Sequence, residues 1–120
     1  MLMSMEQLRD RLERALDRAF VALRDADGPP LLGAAMRYAV FPGGSRSRPL
    51  LCLATAECLG EDKPSLSDAA ASALELIHCA SLVHDDLPCF DDAQVRRGRA
   101  TTHVAFGEPI GVLTGDALIA

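Results

Sequence analysis

Tryptophan is absent from this chain, and Tyr and Phe together make up only 4% of its 120 residues. A core without large rings must rest on Leu, Ala, Val and Ile, which favours helices over a sheet. Positive charge is also scarce. Twelve Lys and Arg against 17 Asp and Glu leave a net charge of −5, which argues against nucleic acid as a main partner. No Cys-x-x-Cys pair occurs, and Cys52, Cys58, Cys79 and Cys89 fall in apolar contexts without a zinc or redox spacing. They read as small reduced hydrophobes, which predicts a cytoplasmic address. The opening Met-Leu-Met-Ser-Met-Glu is no signal peptide, because charge interrupts the apolar run at once. No stretch approaches the ~20 apolar residues that span a bilayer, so no membrane span is expected.

What is present fits one globular domain: 49% hydrophobic and 24% charged residues, with no repeat, low-complexity tract or linker to divide them. Ser4 with Gln7 reads as a capping box opening a helix. Leu8, Leu12, Ala15, Leu16, Ala19, Phe20 and Leu23 then form one apolar stripe, with Glu and Arg opposite. A break is expected from Asp25 to Pro30, and a second helix over Leu31–Val40. After Pro42 comes Gly43-Gly44, whose bare backbone suits a close approach to phosphate. Arg46, Arg48 and a helix opening at Pro49 strengthen that reading, since helix N-termini favour anions. The third helix should stop at Gly60, a fourth should start at Ser67, and residues 98–109 should be loop. A last apolar helix is expected over Ile110–Ala120.

The fourth helix runs into an acidic bend. Asp85, Asp86, Asp91 and Asp92 lie within eight positions, and Arg96-Arg97 come just after them. Pro88 lacks an N–H and would clash with the carbonyl of His84, so the helix must end or kink near Asp86. The first two carboxylates then sit at the negative end of a helix dipole, where cations are favoured. Hard Mg²⁺ prefers carboxylate oxygens, using one or two of them plus substrate phosphates. Arginine forks fit phosphate oxygens bidentately. Acid for metal, then base for phosphate, suggests a site for a metal-bound phosphate ester. His78, Ser81 and Asp85 share one helix face, so that face should line a cavity.

Asp85-Asp86 with Asp91, followed by Arg96-Arg97-Gly98, resembles the first aspartate-rich motif of the short-chain trans-polyprenyl diphosphate synthases. Gly43-Gly44-Ser45-Arg46-Ser47-Arg48-Pro49 is similar to their Gly-Gly-Lys-Arg-x-Arg-Pro segment, and the stretch from His103 to Asp116 is similar to the family's segment beyond the motif. The likeness runs from about Leu31 onward in the family's order and spacing. Within the family it points to the bacterial geranylgeranyl diphosphate synthases.

The resemblance implies an all-α fold, the N-terminal portion of the isoprenoid synthase helical bundle. It implies a prenyltransferase joining isopentenyl diphosphate to an allylic diphosphate by Mg²⁺-assisted ionisation, making geranylgeranyl diphosphate, in a protein that is homodimeric at full length. By position, Asp85, Asp86 and Asp91 match the metal ligands, with Asp92 in support. Arg96 matches the arginine on the allylic diphosphate. Ser45, Arg48, His78 and Arg97 match the isopentenyl diphosphate contacts. Ser45 stands where most members carry Lys, so a fixed charge is missing; Arg46 is a candidate to compensate. His84 reads as structural, and His103 is left open.

Ala80 and Ser81 match the positions that limit product length. Ser81 lies roughly 6 Å down the helix from Asp85, along the path a growing prenyl tail would take. The family's second aspartate-rich motif has no counterpart in residues 1–120. The chain is therefore expected to be an incomplete part of a single isoprenoid synthase domain, inactive and loosely folded as a lone segment. The alternative activity class is a non-catalytic regulatory subunit of the same family. A metal phosphohydrolase built on His78 and His84-Asp85 would need more His ligands than His103 alone supplies. Two small residues at the length-limiting positions predict that Ala80→Tyr in the intact enzyme shortens the product, read by chromatography of the reaction products.

Overall fold

The structure, a computed structural model, describes residues 2–24 and 27–120. Its elements run α1 (Met5–Arg24), α2 (Pro30–Val40), α3 (Ser47–Cys58), α4 (Pro64–Asp85), β1 (Val95–Arg96), β2 (Arg99–Ala100), α5 (Thr102–Phe106) and α6 (Glu108–Ile119). The described residues form two compact units, one of residues 2–22 and 45–75, the other of residues 23–24, 27–44 and 76–120.

In the first unit, α1 opens on the expected capping box. Ser4 N–H donates to Gln7 Oε1 at 2.9 Å, and Gln7 N–H to Ser4 Oγ at 3.2 Å. Leu8, Leu12, Ala15, Leu16 and Phe20 are buried along the predicted stripe, whereas Leu23 is exposed. Each buried leucine contributes about 1.5–3 kcal/mol of hydrophobic stabilisation. Arg11 joins this stripe instead of the polar face. It is ion-paired with Glu61 at 2.9 Å and Asp68 at 2.7 Å, and it donates to Pro64 O. Hydrogen bonding to Arg11 holds the Glu61 carboxyl below the usual carboxylate range. Helix α3 starts two residues before the expected Pro49, because Arg46 takes a left-handed backbone (φ 57°) and serves as its N-cap. Helix α4 starts at Pro64 and not at Ser67; Pro has no N–H to leave unpaired in a first turn.

Arg46 is also the centre of this unit's polar core. Its side chain is fully buried, with Nε 2.9 Å from Glu13 Oε1 and Nη1 3.0 Å from Glu75 Oε1; the Glu75 side chain is only 2% exposed. Burial works against the guanidinium charge, but its hydrogen bonds to Glu13 and Glu75 outweigh that and raise its pKa further. The expectation that Arg46 replaces the missing lysine is thereby corrected: the side chain is committed to the interior.

In the second unit, α2 and α6 pack together, and α5 touches both. Of the break expected from Asp25 to Pro30, Asp25 and Ala26 lie outside the described residues, as does Met1; α2 begins at Pro30. The Phe41–Pro42 peptide is cis. The loop expected in this unit is corrected. The span from 98 to 109 contains the short helix α5. Preceding it is a minimal antiparallel hairpin, with Val95 opposite Ala100 and Arg96 opposite Arg99. Its loop is Arg97-Gly98, both at positive φ (52° and 79°), as a type I′ turn requires. An Arg at that first position is an unusual choice, which hides the hairpin from a reading of residue types.

Two further readings change. Cys79 is buried, but Cys58 and Cys89 are exposed, so an apolar setting holds for only part of the cysteine set; all four are free thiols. Pro64–Asp85, at 22 residues, is long and apolar enough by length and composition to cross a membrane, contrary to the expectation of no such stretch. Its Glu75, however, is buried in an ion pair with Arg46.

The buried pair makes a test. Arg46→Met removes a buried ion-pair partner of Glu75 and should lower unfolding stability by about 3–5 kcal/mol. Adding Glu75→Leu should recover much of the loss. Denaturant midpoints measure both, and a single variant as stable as the parent contradicts the assignment.

Candidate functional site

Helix α4 ends where Pro88 required. The last turns close with Asp86 N–H donating to Leu82 O at 3.1 Å and Leu87 N–H to His84 O at 3.1 Å. The chain then folds back on the helix end. Asp91 N–H donates to Asp85 O at 2.9 Å, and Ala93 N–H to Asp86 O at 3.1 Å. Carbonyls that a helix terminus leaves unpaired are satisfied by the acidic loop itself. The same bonds bring Asp91 beside Asp85, and both side chains are exposed.

Asp86 takes the opposite course. It is 3% exposed, and Arg96 forks onto it, with Nε to Oδ2 at 2.7 Å and Nη2 to Oδ1 at 2.8 Å. Asp86 was expected among the metal ligands, but here both of its oxygens are engaged by Arg96. The hydrogen bond to Asp86 raises the Arg96 pKa against desolvation, and the charges of Asp86, Asp85 and Asp91 add to it. One guanidinium thus sits within electrostatic reach of three carboxylates. The Arg96 side chain remains 37% exposed, leaving a face open to solvent.

Arg97, its neighbour, lies against Gly44. A Cβ on Gly44 would fall 2.8 Å from Arg97 Cζ and from Nη2. The bare glycine therefore makes room for a guanidinium, where the sequence had suggested room for a phosphate. A cavity of about 130 Å³ within this unit is lined by Asp86, Arg96, Arg97, Arg99, Gly43 and Thr101, among others.

Of the other predicted residues, His78 is half-buried, Ser81 is exposed with its Oγ donating to His78 O at 2.7 Å, and Ala80 is fully buried. An aromatic at Ala80 would meet packed neighbours first, whereas Ser81 presents its side chain on the open face. Ser45 and Arg48 belong to the first unit, and both are exposed. Ser45 Oγ lies 2.8 Å from Ser47 Oγ, and its carbonyl accepts from Arg9 Nη2 at 2.9 Å.

Two glycines of α6, absent from the sequence-based set of site residues, shape its surroundings. A Cβ on Gly111 would lie 3.0 Å from His103 Cβ, and one on Gly115 only 2.0 Å from His84 Nε2. Their Gly-x-x-x-Gly spacing was the available signal, since small residues four apart clear one face of a helix. His84, next to Asp85, settles into that notch and donates from Nε2 to Val112 O at 3.1 Å; Asp116 Oδ1 is 3.5 Å away. The structural reading of His84 stands on this contact. His103 is buried with Nδ1 3.3 Å from Thr101 Oγ1, which itself donates to Ala93 O at 2.7 Å. Its Nε2 lacks a hydrogen-bond partner among the described residues and lies 3.9 Å from Asp92 Oδ1.

Among the described residues, no three His, Cys, Asp or Glu side chains converge into a self-sufficient metal cage. Asp85 and Asp91, two exposed hard-oxygen donors held together by a backbone hydrogen bond, fit a cation that takes its remaining ligands from substrate and water.

Residues 29–120 match the profile of the polyprenyl synthetases. The chain belongs to the polyprenyl synthetase family. It is 58% identical over 109 residues to a geranylgeranyl diphosphate synthase of Cereibacter sphaeroides, covering 91% of this chain and 38% of that protein. Against the geranylgeranyl diphosphate synthase of Rhodobacter capsulatus, identity is 53% over 109 residues, covering 91% and 38%. Among solved structures, a geranyltransferase from Legionella pneumophila superposes with a TM-score of 0.85 at 37% identity, covering 96% of this chain and 39% of that one. A geranyltranstransferase from Thermotoga maritima gives a TM-score of 0.83 at 39% identity, covering 94% and 42%. The fold is thus that of the isoprenoid synthases, predominantly helical as expected. The chain spans well under half the length of these relatives.

The histidine notch yields a test. Gly115→Ala should destabilise the protein by about 1–3 kcal/mol, the usual range for overpacking. His84→Ala placed in the same protein should relieve part of that loss. Thermal unfolding of the two singles and the double checks it, and purely additive losses refute the contact.

Proposed function

We propose that this chain carries the first aspartate-rich half-site of a prenyltransferase. The enzyme condenses isopentenyl diphosphate with an allylic diphosphate and makes geranylgeranyl diphosphate. The observation that supports it most is the fold-back that sets Asp85 and Asp91 together, both exposed, beside the Asp86–Arg96 pair. The synthase names of the bacterial relatives favour this catalytic reading over a regulatory subunit. We read residues 1–120 as the N-terminal part of one isoprenoid synthase domain, acting in the cytoplasm as a homodimer.

Mg²⁺, when bound, supplies the positive charge that stabilises the departing diphosphate as the allylic C–O bond breaks and its electron pair leaves with oxygen. Asp85 and Asp91 are the residues that would hold it. Asp86 serves by fixing Arg96, whose exposed face then meets the allylic diphosphate as a preoriented fork. On the other substrate, the double bond of isopentenyl diphosphate attacks the allylic carbon, and a proton then leaves the adduct. Arg97, Arg48, His78 and Ser45 are assigned to its diphosphate. With Ser45 contributing a neutral hydroxyl, the guanidinium groups carry the anion's charge. Ser81, exposed one turn before Asp85, borders the path of the growing chain, with the buried Ala80 behind it as a packing position.

Asp85→Asn with Asp91→Asn in the intact gene product should lower kcat by at least about a hundredfold, a range typical of losing electrostatic stabilisation of a leaving group. Protection against thermal unfolding by Mg²⁺ with an unreactive allylic diphosphate analogue should disappear as well. Undiminished turnover together with undiminished protection would sink the assignment.

A further inference from the structure

The hairpin that carries Arg96 and Arg97 is clasped to the end of α2 by contacts that none of the assigned roles uses. Arg99 donates from Nη2 to the carbonyls of Tyr38 and, at 2.6 Å, of Phe41. Its guanidinium also lies over the Tyr38 ring, 3.8 Å from the centroid. Tyr38 returns the contact, its hydroxyl donating to Ala100 O at 2.6 Å. Phe106 packs edge-on against the same ring at 5.3 Å.

Each contact has a reason in the chain. The last carbonyls of a helix lack intrahelical donors and carry the negative end of its dipole, so a guanidinium beside them is doubly favoured. The Tyr38 ring face adds a cation–π attraction. Both clasped elements lead straight to one place. From Phe41 the chain passes through Pro42 and Gly43 to Gly44, and from Arg99 it passes back through Gly98 to Arg97. Arg97 lies flat on Gly44, so close that a single Cβ would collide with it. The clasp thus lies directly behind the place where those two residues meet.

We propose that Arg99, together with Tyr38, is a positioning residue for the isopentenyl diphosphate subsite, acting through Arg97. This rests on the assignment of Arg97 to that diphosphate. Arg99 fixes the hairpin's height above the Gly43-Gly44 loop, and Arg97 is thereby preoriented for the anion, a gain that appears in binding and not in the chemical step.

The test uses the intact gene product. Arg99→Ala should raise KM for isopentenyl diphosphate about tenfold, with kcat and KM for the allylic substrate changed by less than about threefold. Arg97→Ala should raise the same KM, and adding Arg99→Ala to it should cause no further rise, because the two act in series. Arg99→Lys, which keeps the charge but not the fork, should restore part of the loss. Tyr38→Phe removes one hydrogen bond and gives the same comparison should Arg99→Ala not fold; thermal midpoints are recorded for every variant. An unchanged KM in Arg99→Ala overturns the proposal, as do fully additive effects or a KM that tracks the thermal midpoint alone. If Arg97→Ala itself leaves that KM unchanged, the diphosphate role of Arg97 fails and this proposal falls with it.

Discussion

The contact on which this site depends is the fork of Arg96 on Asp86. A carboxylate at a helix C-terminus faces the negative end of the dipole, and burying it adds a desolvation penalty. Asp86 bears both and is nevertheless 3% exposed, because two charge-assisted hydrogen bonds of 2.7 and 2.8 Å compensate. With Asp86 turned inward, its neighbour Asp85 is turned outward by helical geometry, and the loop returns Asp91 to the same place. Removing Arg96 would leave the buried Asp86 carboxylate without that fork, which is destabilising. The acidic bend is thus a structural ion pair and an open pair of carboxylates made from one short stretch.

Around that pair, close approach is achieved by leaving side chains out. Gly115 admits the ring of His84, Gly111 admits His103, and Gly44 admits the guanidinium of Arg97. In each case a charged or polar group gains a fixed seat against backbone. The groups so seated flank the acidic bend in the chain or come soon after it. This is how an exposed, like-charged cluster keeps a defined shape without many apolar contacts of its own.

Much of the fold was legible because its causes are local. The capping box of Ser4 and Gln7, the stripe from Leu8 to Phe20 and the stop imposed by Pro88 each depend on residues within a turn or two. Arg46 misleads for the opposite reason. Beside Arg48 in an arginine-rich stretch it resembles a substrate contact, and only its own burial and its partners Glu13 and Glu75, far away in sequence, show it to be structural. The hairpin was not legible because Arg97 accepts a left-handed backbone that its residue type does not favour.

The order of residues alone determined that the chain would be helical, that a helix would end in clustered carboxylates, and that arginines would come next. These are consequences of composition, spacing and the missing N–H of Pro88. It could not distinguish Asp85 from Asp86, two identical side chains one residue apart with the same reason to bind a cation. That difference was decided in three dimensions, by a guanidinium ten residues on that reaches one carboxylate and leaves the other to solvent.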